Sequence, residues 1–391
     1  MIPKYPLATS SWDQAEYDAL DRVIKSNQFT MGPMGPEIPA FEEQFAHQFG
    51  SRYAVMVNSG SSANLLIVAA LRYTQNDKIK ILAGDEIIVP AVSWSTTYFP
   101  LQQYGLKLKF VDIDLHTLNY NIKALKDAVT DETRAIMVVN LLGNPNDFDA
   151  INNIIDGRKI VMIEDNCESM GATFNGRQAG TFGIAGSFSG FFSHHISTME
   201  GGVCVTDDEE LYHVMLSIRA HGWTRNLPKF NKVTGEKSDD PFEETFRFVL
   251  PGYNLRPLEM SGALGLEQLK KLPDLIHGRR INAKLVQEKL SDHPRFMIQQ
   301  EIGKSSWFGF SLVLRDPSAG SRQQLVKELV DEGFEVRPIV TGNFAKNEVM
   351  KYFDYTIHDR LKNSDYIDAH GLFIGNHHYS IASAVDVLAS L

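Results

Sequence analysis

Cysteine is scarce in this sequence. Among the 391 residues, only Cys167 and Cys204 carry a thiol. Two thiols are too few for a disulfide framework or for a metal or iron–sulfur site held by four cysteines. We therefore expect no metal site, no iron–sulfur cluster and a cytoplasmic protein.

Long apolar runs and an excess of basic residues are also missing. The chain has no run of about 18 apolar residues, and its N-terminus, MIPKYPLATSSWDQ, lacks the apolar core of a signal peptide. The net charge of −10 argues against a surface for nucleic acid. It does not argue against a small phosphorylated ligand, because a helix N-terminus and one or two arginines can bind one. We expect neither a membrane nor a nucleic-acid partner.

Seven apolar, β-branched runs, several of them separated by helical patterns, predict an α/β fold with a mostly parallel sheet between helices. The runs are YAVMVNSG (53–60), DEIIVP (85–90), KLKFVDID (107–114), TRAIMVVNLLG (133–143), KIVMIEDN (159–166), IAGSFSGFF (184–192) and GGVCVTD (201–207). The clearest helical patterns between them are SSANLLIVAALRY and LHTLNYNIKALKDAVT. The last two runs are only about eight residues apart, so this pair is either antiparallel or joined by a loop.

The pattern changes after residue 256. A long helical stretch follows at 257–290, in which Pro273 is predicted to kink or break the helix. A strand (FGFSLVLRD), a helix (SRQQLVKELVDEGF) and a second strand (EVRPIV) come next. We predict a large domain at 1–256 and a smaller α+β domain at 257–391, hinged on the long helix.

Four places could carry chemistry, and each has a simpler alternative. Gly60, in NSGSSAN, either opens an anion site at a helix N-terminus or precedes a plain helix cap formed by Ser61 or Ser62. Asp165 follows a strand and either pairs with a protonated ring nitrogen or caps a helix. Trp94 either stacks on a flat cofactor or lies in the core, and Arg256 either binds a carboxylate or is a surface residue near a domain joint.

Taken in order and with their spacing, these segments resemble the pyridoxal-phosphate-dependent sugar aminotransferases. The resemblance rests on SGSSAN, GDEIIVPAVSW, FVDID, IEDNCES, AGSFSGFF, EGG and YNLRP, and it covers nearly the whole chain. It implies the aspartate-aminotransferase fold (fold type I), with a seven-stranded, mostly parallel sheet and a smaller C-terminal α+β domain. It also implies a homodimer.

One residue of that family's pattern is missing. The family carries a lysine that binds the cofactor covalently, in a pattern like S-F-x-x-x-K-N-x-x-x-x-E-G-G. Here His194 stands at the lysine position, between Ser189 and Glu200, and an imidazole cannot form a Schiff base. The chain is therefore a catalytically inactive binding or regulatory relative, a weak aminotransferase, or an enzyme that needs a histidine base.

The third interpretation agrees with the C3-dehydratases of this family, which the SHHISTMEGG segment resembles. Histidine, with a pKa of about 6.5, accepts a proton near neutral pH and does not capture the cofactor. One dehydratase type needs a four-cysteine iron–sulfur cluster, which this chain cannot hold. The other acts on GDP-4-keto-6-deoxy-D-mannose to make the colitose precursor, and L-glutamate regenerates its cofactor while becoming 2-oxoglutarate. The resemblance thus implies pyridoxal 5′-phosphate or pyridoxamine 5′-phosphate, bound noncovalently.

The resemblance also implies roles for individual residues. His194 is the catalytic base. Gly60, Ser61, Ser189 and Asn254 hold the phosphate, with Asn254 coming from the other chain of the dimer. Trp94 stacks on the pyridine ring, Asp165 pairs with its nitrogen, and Glu168 lies near the cofactor hydroxyl, where relatives have glutamine or histidine. The substrates are contacted by His221 and Arg256 for glutamate, and by Asn27, Gln28, Phe29, Thr30, Arg225 and Glu335 for the nucleotide sugar.

Overall fold

The computed structural model describes residues 3–32 and 35–391. In this part of the chain there are twelve α-helices: α1 Gln14–Ser26, α2 Glu37–Phe49, α3 Gly60–Tyr73, α4 Ser95–Gln103, α5 Ile122–Ala128, α6 Phe148–Ile155, α7 Glu209–Arg219, α8 Pro241–Glu244, α9 Glu259–Leu290, α10 Arg322–Asp331, α11 Lys362–His370 and α12 Ala382–Ser390. The same ranges contain sixteen strands: β1 Tyr53–Val57, β2 Glu86–Pro90, β3 Lys107–Val111, β4 Thr133–Val139, β5 Val161–Asp165, β6 Thr173–Phe174, β7 Arg177–Gln178, β8 Ala185–Ser189, β9 Gly202–Thr206, β10 Phe230–Asn231, β11 Gly235–Glu236, β12 Phe296–Met297, β13 Gly309–Leu314, β14 Val336–Arg337, β15 Tyr355–Ile357 and β16 Gly371–Gly375.

The large sheet has the order β1-β9-β8-β5-β4-β2-β3-β15. All seven predicted strands are in it, so the predicted α/β class is confirmed. Strand β9 runs antiparallel to both β1 and β8, which decides between the two alternatives for that pair. The predicted number of strands was wrong, because the sheet has eight. The eighth is β15, which lies far along the chain and pairs in parallel with β3.

Apolar side chains cover both faces of the large sheet. Strands β1, β2, β4, β5, β8 and β9 are buried along almost their whole length, as expected for strands between two helical layers. Helix α3 begins where Ser59 caps it, with the Ser59 side chain accepting a hydrogen bond from the N–H of Ser62. Its apolar residues Leu66 to Leu71 are then fully buried against the sheet. The start of α3 is thereby fixed at the end of β1.

Helix α9 continues through Pro273, so the predicted break does not occur. A proline inside a helix leaves the carbonyl four residues earlier without its N–H donor. That carbonyl belongs to Leu269, and here the side-chain amide of Gln48 donates to it at 3.5 Å. Helix α2 packs along α9, and a partner from outside the helix therefore compensates for part of the cost of Pro273.

A second sheet, ordered β12-β13-β16-β14, forms the core of the C-terminal part together with α10 and α12. The predicted strand–helix–strand of this part corresponds to β13, α10 and β14. The domain division at 256/257 stays a prediction, and two segments cross it. Strand β15 joins the large sheet, while Tyr5 near the N-terminus pairs with Phe334 beside the smaller sheet. None of the helices in residues 3–32 and 35–391 has the length and apolarity needed to cross a bilayer.

Candidate active site

A cavity of about 540 Å³ opens at the carboxyl edge of the parallel strands. Residues at or just after the ends of β1, β2, β4, β5 and β8 line it, together with Ser193, His194, Glu200 and Arg337 of β14. Ligands of open α/β sheets bind at this edge, because the strand ends and helix starts leave a crevice there. The cavity contains seven of the predicted site residues: Gly60, Ser61, Trp94, Asp165, Glu168, Ser189 and His194.

One corner of the cavity is formed by the start of α3. The first turn of a helix leaves N–H groups without partners inside the helix, and the Ser59 side chain satisfies only that of Ser62. A side chain at Gly60 would clash there, since its Cβ would lie 2.7 Å from Cβ of Ser189. The hydroxyl of Ser61 donates to that of Thr96 at 2.9 Å. This corner combines backbone N–H groups, a helix N-terminus and two hydroxyls, which suits a phosphate.

Asp165 lies at the last position of β5 and is only 5% exposed. One carboxylate oxygen accepts hydrogen bonds from the side chains of Asn64 and Thr97, both at 2.8 Å. The other accepts from the N–H of Cys167 at 3.1 Å. These donors fix a negative charge at the floor of the cavity. In the described part of the chain no helix begins directly after Asp165, so the helix-cap alternative is wrong. Its carboxylate accepts from the turn that follows the strand and also lines the cavity, and its pairing with a ring nitrogen stays a prediction.

Trp94 projects into the cavity rather than the core. It precedes α4, and 56% of its surface is exposed although the side chain is large and apolar. An indole left open at the wall of a crevice offers a flat face for stacking. The core alternative for Trp94 is therefore wrong.

Glu168 lies in the cavity wall, where it accepts a hydrogen bond from the N–H of Leu142 at 2.9 Å. Burial raises the pKa of this carboxyl to about 7, and the nearby Asp165 acts in the same direction. The side chain therefore changes charge close to neutral pH, which is unusual for a carboxyl.

The two adjacent histidines lie in different environments. His194 lines the cavity and packs against Phe308, with 5.1 Å between ring centroids. His195 is 2% exposed, points away from the cavity and donates from Nε2 to the carbonyl of Ser306 at 3.2 Å. Burial, followed by the positive charge of Arg279, lowers the pKa of His194 to about 4. Its ring is thus neutral at neutral pH and able to accept a proton.

Sequence analysis missed several residues of the site. Arg337, in β14, lines the cavity and forms an ion pair with Glu335 at 3.0 Å. Glu335 itself, a predicted substrate residue, is not in the cavity wall. Its link to the cavity is the ion pair with Arg337. Asn64 was also missed. The signal for it was its position one helical turn after Gly60, which puts both residues on the same face of α3.

The remaining predicted residues lie outside the cavity of this chain. His221, Arg225, Asn254 and Arg256 group around Trp223, and we call these five residues the 221–256 surface. Arg225 lies over the indole at 4.3 Å, His221 packs against it at 4.7 Å, and Arg256 donates to the Asn254 side chain at 3.0 Å.

The predicted segment from Asn27 to Thr30 lies near the 221–256 surface. The carbonyl of Phe29 accepts a hydrogen bond from the N–H of Glu259, and Thr30 pairs with Leu258. Both contacts are only a few residues beyond Arg256, at the start of α9. Asn254 lies far from SGSSAN in the sequence but close to it in the fold, because the N–H of Asn58 donates to the carbonyl of Leu255. Asn254 is nonetheless exposed and is not among the residues that line the cavity.

Known proteins match this chain over nearly its whole length. The model of the DegT/DnrJ/EryC1/StrS aminotransferase family matches residues 10–388. The chain belongs to this family. Its fold is accordingly the predicted pyridoxal-phosphate-dependent aminotransferase fold, which the solved structures below share.

Two relatives in this family have the same description, GDP-4-keto-6-deoxy-D-mannose 3-dehydratase. The protein from Escherichia coli O55:H7 is 63% identical over 98% of both chains. The protein from Yersinia pseudotuberculosis is 61% identical over 99% of this chain and 98% of its own. Two solved structures of GDP-4-keto-6-deoxymannose-3-dehydratase, each 62% identical, superpose with a TM-score of 0.96 over 99% of both chains. One is a histidine-to-asparagine mutant with bound GDP-perosamine, and the other holds a trapped PLP–glutamate geminal diamine.

Proposed function

We propose that this protein is a pyridoxal-phosphate-dependent dehydratase that removes the 3-hydroxyl of GDP-4-keto-6-deoxy-D-mannose, and that L-glutamate regenerates its cofactor. The relatives with this activity in their names align with 98–99% of the chain at 61–63% identity. The observation that carries the proposal is the side chain at the family's lysine position. The cavity wall has an imidazole there, and none of the described residues that line the cavity is a lysine.

The cavity fits the cofactor. Gly60, Ser61 and Ser189 would hold the phosphate, because they surround the open N-terminus of α3. Asp165 would pair with the ring nitrogen from the floor of the cavity, and Trp94 would cover one face of the ring. When bound, the cofactor supplies an amine that condenses with the keto group of the sugar and a ring that accepts electrons.

The remaining chemistry falls to side chains of this protein. Asp165, held by Asn64 and Thr97, stabilises a proton on the ring nitrogen because its negative charge is fixed. His194 accepts the proton that must leave the cofactor's C4′ carbon, since its ring is neutral at neutral pH. The imidazolium, whose pKa is lowered, would pass this proton to the 3-hydroxyl of the sugar, which leaves as water, so the base is restored. A histidine also leaves the cofactor uncaptured, and we propose that the cofactor is bound noncovalently.

The 221–256 surface supports a homodimer with shared sites. Its basic, aromatic and amide side chains suit the carboxylates of glutamate and a nucleotide sugar. They are exposed (Arg225, Asn254) or half-buried (His221, Trp223, Arg256), and they lie outside this chain's own cavity. In a dimer, this surface would close the partner's cavity. His221 and Arg256 would then bind the glutamate carboxylates, Asn254 the phosphate, and Arg225, Asn27, Gln28, Phe29, Thr30 and Glu335 the nucleotide sugar.

The test is a product assay with purified protein, pyridoxamine phosphate, L-glutamate and GDP-4-keto-6-deoxy-D-mannose. We expect a keto sugar one oxygen atom lighter than the substrate, with one 2-oxoglutarate and one ammonia released per turnover. An amino sugar without ammonia release would identify an aminotransferase instead. Tight binding of cofactor and sugar without turnover would identify a binding protein and refute the dehydratase.

A further inference from the structure

Arg279 is a buried cation without an acidic partner. It belongs to α9, is 7% exposed, and donates from its guanidinium to the carbonyls of Phe308 at 3.0 Å and Asn376 at 2.7 Å. Within residues 3–32 and 35–391 it takes part in no ion pair. Burial lowers its pKa only to about 10, so the side chain stays charged at neutral pH. Buried charges are normally paired, and an unpaired one requires an explanation.

The contacts of Arg279 lead to the wall of the cavity. Its acceptor Phe308 packs against the His194 ring, at 5.1 Å between centroids. The N–H of Phe308 donates to the carbonyl of Leu142 at 2.9 Å, and the N–H of Leu142 donates to Glu168 at 2.9 Å. Arg279 thus holds the segment on which the His194 ring rests, from the side opposite the cavity.

Other titratable groups also face His194. The carboxyls of Asp165, Glu168 and Glu200 line the same cavity, and so do the thiol of Cys167 and the guanidinium of Arg337. His195 is the next residue, and Arg280 follows Arg279 on α9. Only burial and the Arg279 charge stand out as causes of the lowered pKa of His194. A positive charge nearby disfavours the imidazolium, and it acts strongly where water is excluded.

We propose that Arg279 is a positioning residue that fixes the His194 ring against Phe308 and whose charge adds to burial in disfavouring the protonated form of that ring. This role explains why Arg279 has no acidic partner, because a carboxylate beside it would cancel the effect of its positive charge on His194. The catalytic meaning of this inference rests on the proposed function. The effect on the protonation of His194 does not, and it can be measured without turnover.

The experiment measures carbethoxylation of His194 by diethyl pyrocarbonate, which reacts with the neutral imidazole. The extent is read by peptide mass mapping between pH 4.5 and 8, on the protein loaded with pyridoxamine phosphate and again without it. At each pH, the His194 signal of each protein is compared with that of exposed His277, also on α9, so that differences in reagent activity between samples cancel. In the parent protein the reactivity of His194 should stay nearly flat down to pH 5, because its pKa is about 4.

Two substitutions at position 279 separate charge from hydrogen bonding. Arg279→Gln keeps a hydrogen-bond donor but removes the charge. It should raise the midpoint of the pH titration of His194 by roughly one pH unit, the usual scale of such effects. Reactivity at pH 4.5 would then fall roughly threefold relative to the parent. Arg279→Lys keeps the charge and should titrate like the parent. If Arg279→Gln fails to fold, Arg279→Met is the second neutral variant, because its unbranched chain fills similar space.

Arg280→Gln is the matched control. Arg280 donates to the carbonyls of Ser305 and Gly171, so its loss loosens the same segment while the charge of Arg279 remains. An unchanged midpoint in the neutral variants at position 279 would overturn the inference. So would an equal shift in Arg279→Lys or in Arg280→Gln. If His194 titrates as expected but no sugar is dehydrated, the inference stands and the proposed function fails.

Discussion

At the scale of single residues, the histidine pair shows how neighbours in sequence take different roles. His194 faces the cavity, whereas His195 is fixed to the Ser306 carbonyl behind it. The residue count from Ser189 to Glu200 selected His194 for the base, and the structure places that residue in the cavity wall. Its catalytic role stays a prediction.

Substituting His194 by asparagine tests the base. His194→Asn should leave binding of the cofactor and keto sugar intact while dehydration falls by a factor on the order of 10² to 10⁴. Rapid-mixing absorbance would show a cofactor–sugar adduct that accumulates, and product analysis would show little deoxygenated sugar. If the variant dehydrates at close to the parental rate, the base is elsewhere, and His195 would be the next residue to substitute.

Substituting His194 by lysine tests why this chain lacks the lysine that other members of the family have at this position. The parent protein, treated with borohydride in the presence of pyridoxal phosphate, should gain no pyridoxyl group in its intact mass. His194→Lys should gain one on residue 194 and should lose dehydration, because a covalently captured cofactor is withdrawn from its amine form. A stable adduct on any lysine of the parent protein would refute noncovalent binding.

Glu168 predicts a pH dependence of cofactor affinity. Its pKa is raised from 4.5 to about 7, so the side chain is mostly neutral at pH 6 and mostly charged at pH 8. The added negative charge should weaken binding of an anionic cofactor by roughly fivefold to tenfold at the higher pH. Glu168→Gln should remove this loss, as measured by fluorescence titration with pyridoxamine phosphate at both values. Titration of the cofactor's own groups affects the parent and the variant equally. If cofactor affinity changes with pH to the same extent in both proteins, Glu168 is not the cause of the change.

At the scale of helices and strands, the close approach of β9 to the start of α3 shapes the corner of the cavity that suits a phosphate. A Cβ on Gly202, the first residue of β9, would lie 2.2 Å from the carbonyl oxygen of Ser59. Gly202→Ala should therefore displace the start of α3, reduce stability by about 1–3 kcal/mol and weaken cofactor binding. Thermal unfolding and cofactor titration would measure both effects. Gly320→Ala is the control, since its nearest neighbour lies 3.9 Å away, and a similar loss there would contradict the steric argument.

The sequence predicted buried strands better than exposed ones. Strands covered by helices on both faces are long apolar runs, and all seven were recognised. Strand β15 has three residues, all exposed, and only its pairing with β3 identifies it. The predicted helix at 115–130 is correct only for α5, because Leu118 adopts a positive φ of 62° in the turn before it. The Gln48 contact that accommodates Pro273 joins residues remote in sequence, and no local pattern reports it.

The site was predictable to the extent that its residues follow strands. Gly60, Trp94, Asp165 and Ser189 each end or follow a strand of the large sheet, and parallel strands bring their carboxyl ends together. Arg337 belongs to the smaller sheet, and its approach to the cavity depends on how the two parts of the chain pack. Arg279 could not be selected, because an arginine in a long helix is usually a surface residue.

At the scale of the whole molecule, the 221–256 surface predicts complementation between chains. An Asn254→Ala chain and a His194→Asn chain should each be nearly inactive alone. Mixed and allowed to exchange, they should recover up to about a quarter of the parental activity per site, because a heterodimer holds one site with both residues intact. A sedimentation experiment should find a dimer in the parent protein. An active monomer, or a mixture with no recovery, would contradict shared sites.

Strand β15 has a mechanical consequence. The chain leaves the large sheet through α9, builds most of the smaller sheet, returns to the large sheet at β15 and goes back to the smaller sheet at β16. The N-terminal residues also reach across to Phe334. A body joined to another by one flexible linker can swing freely, but one joined by four crossings cannot. Substrate entry must therefore depend on movement of short segments at the mouth of the cavity. The parts of the chain built on the large and the smaller sheet should unfold together as one cooperative unit.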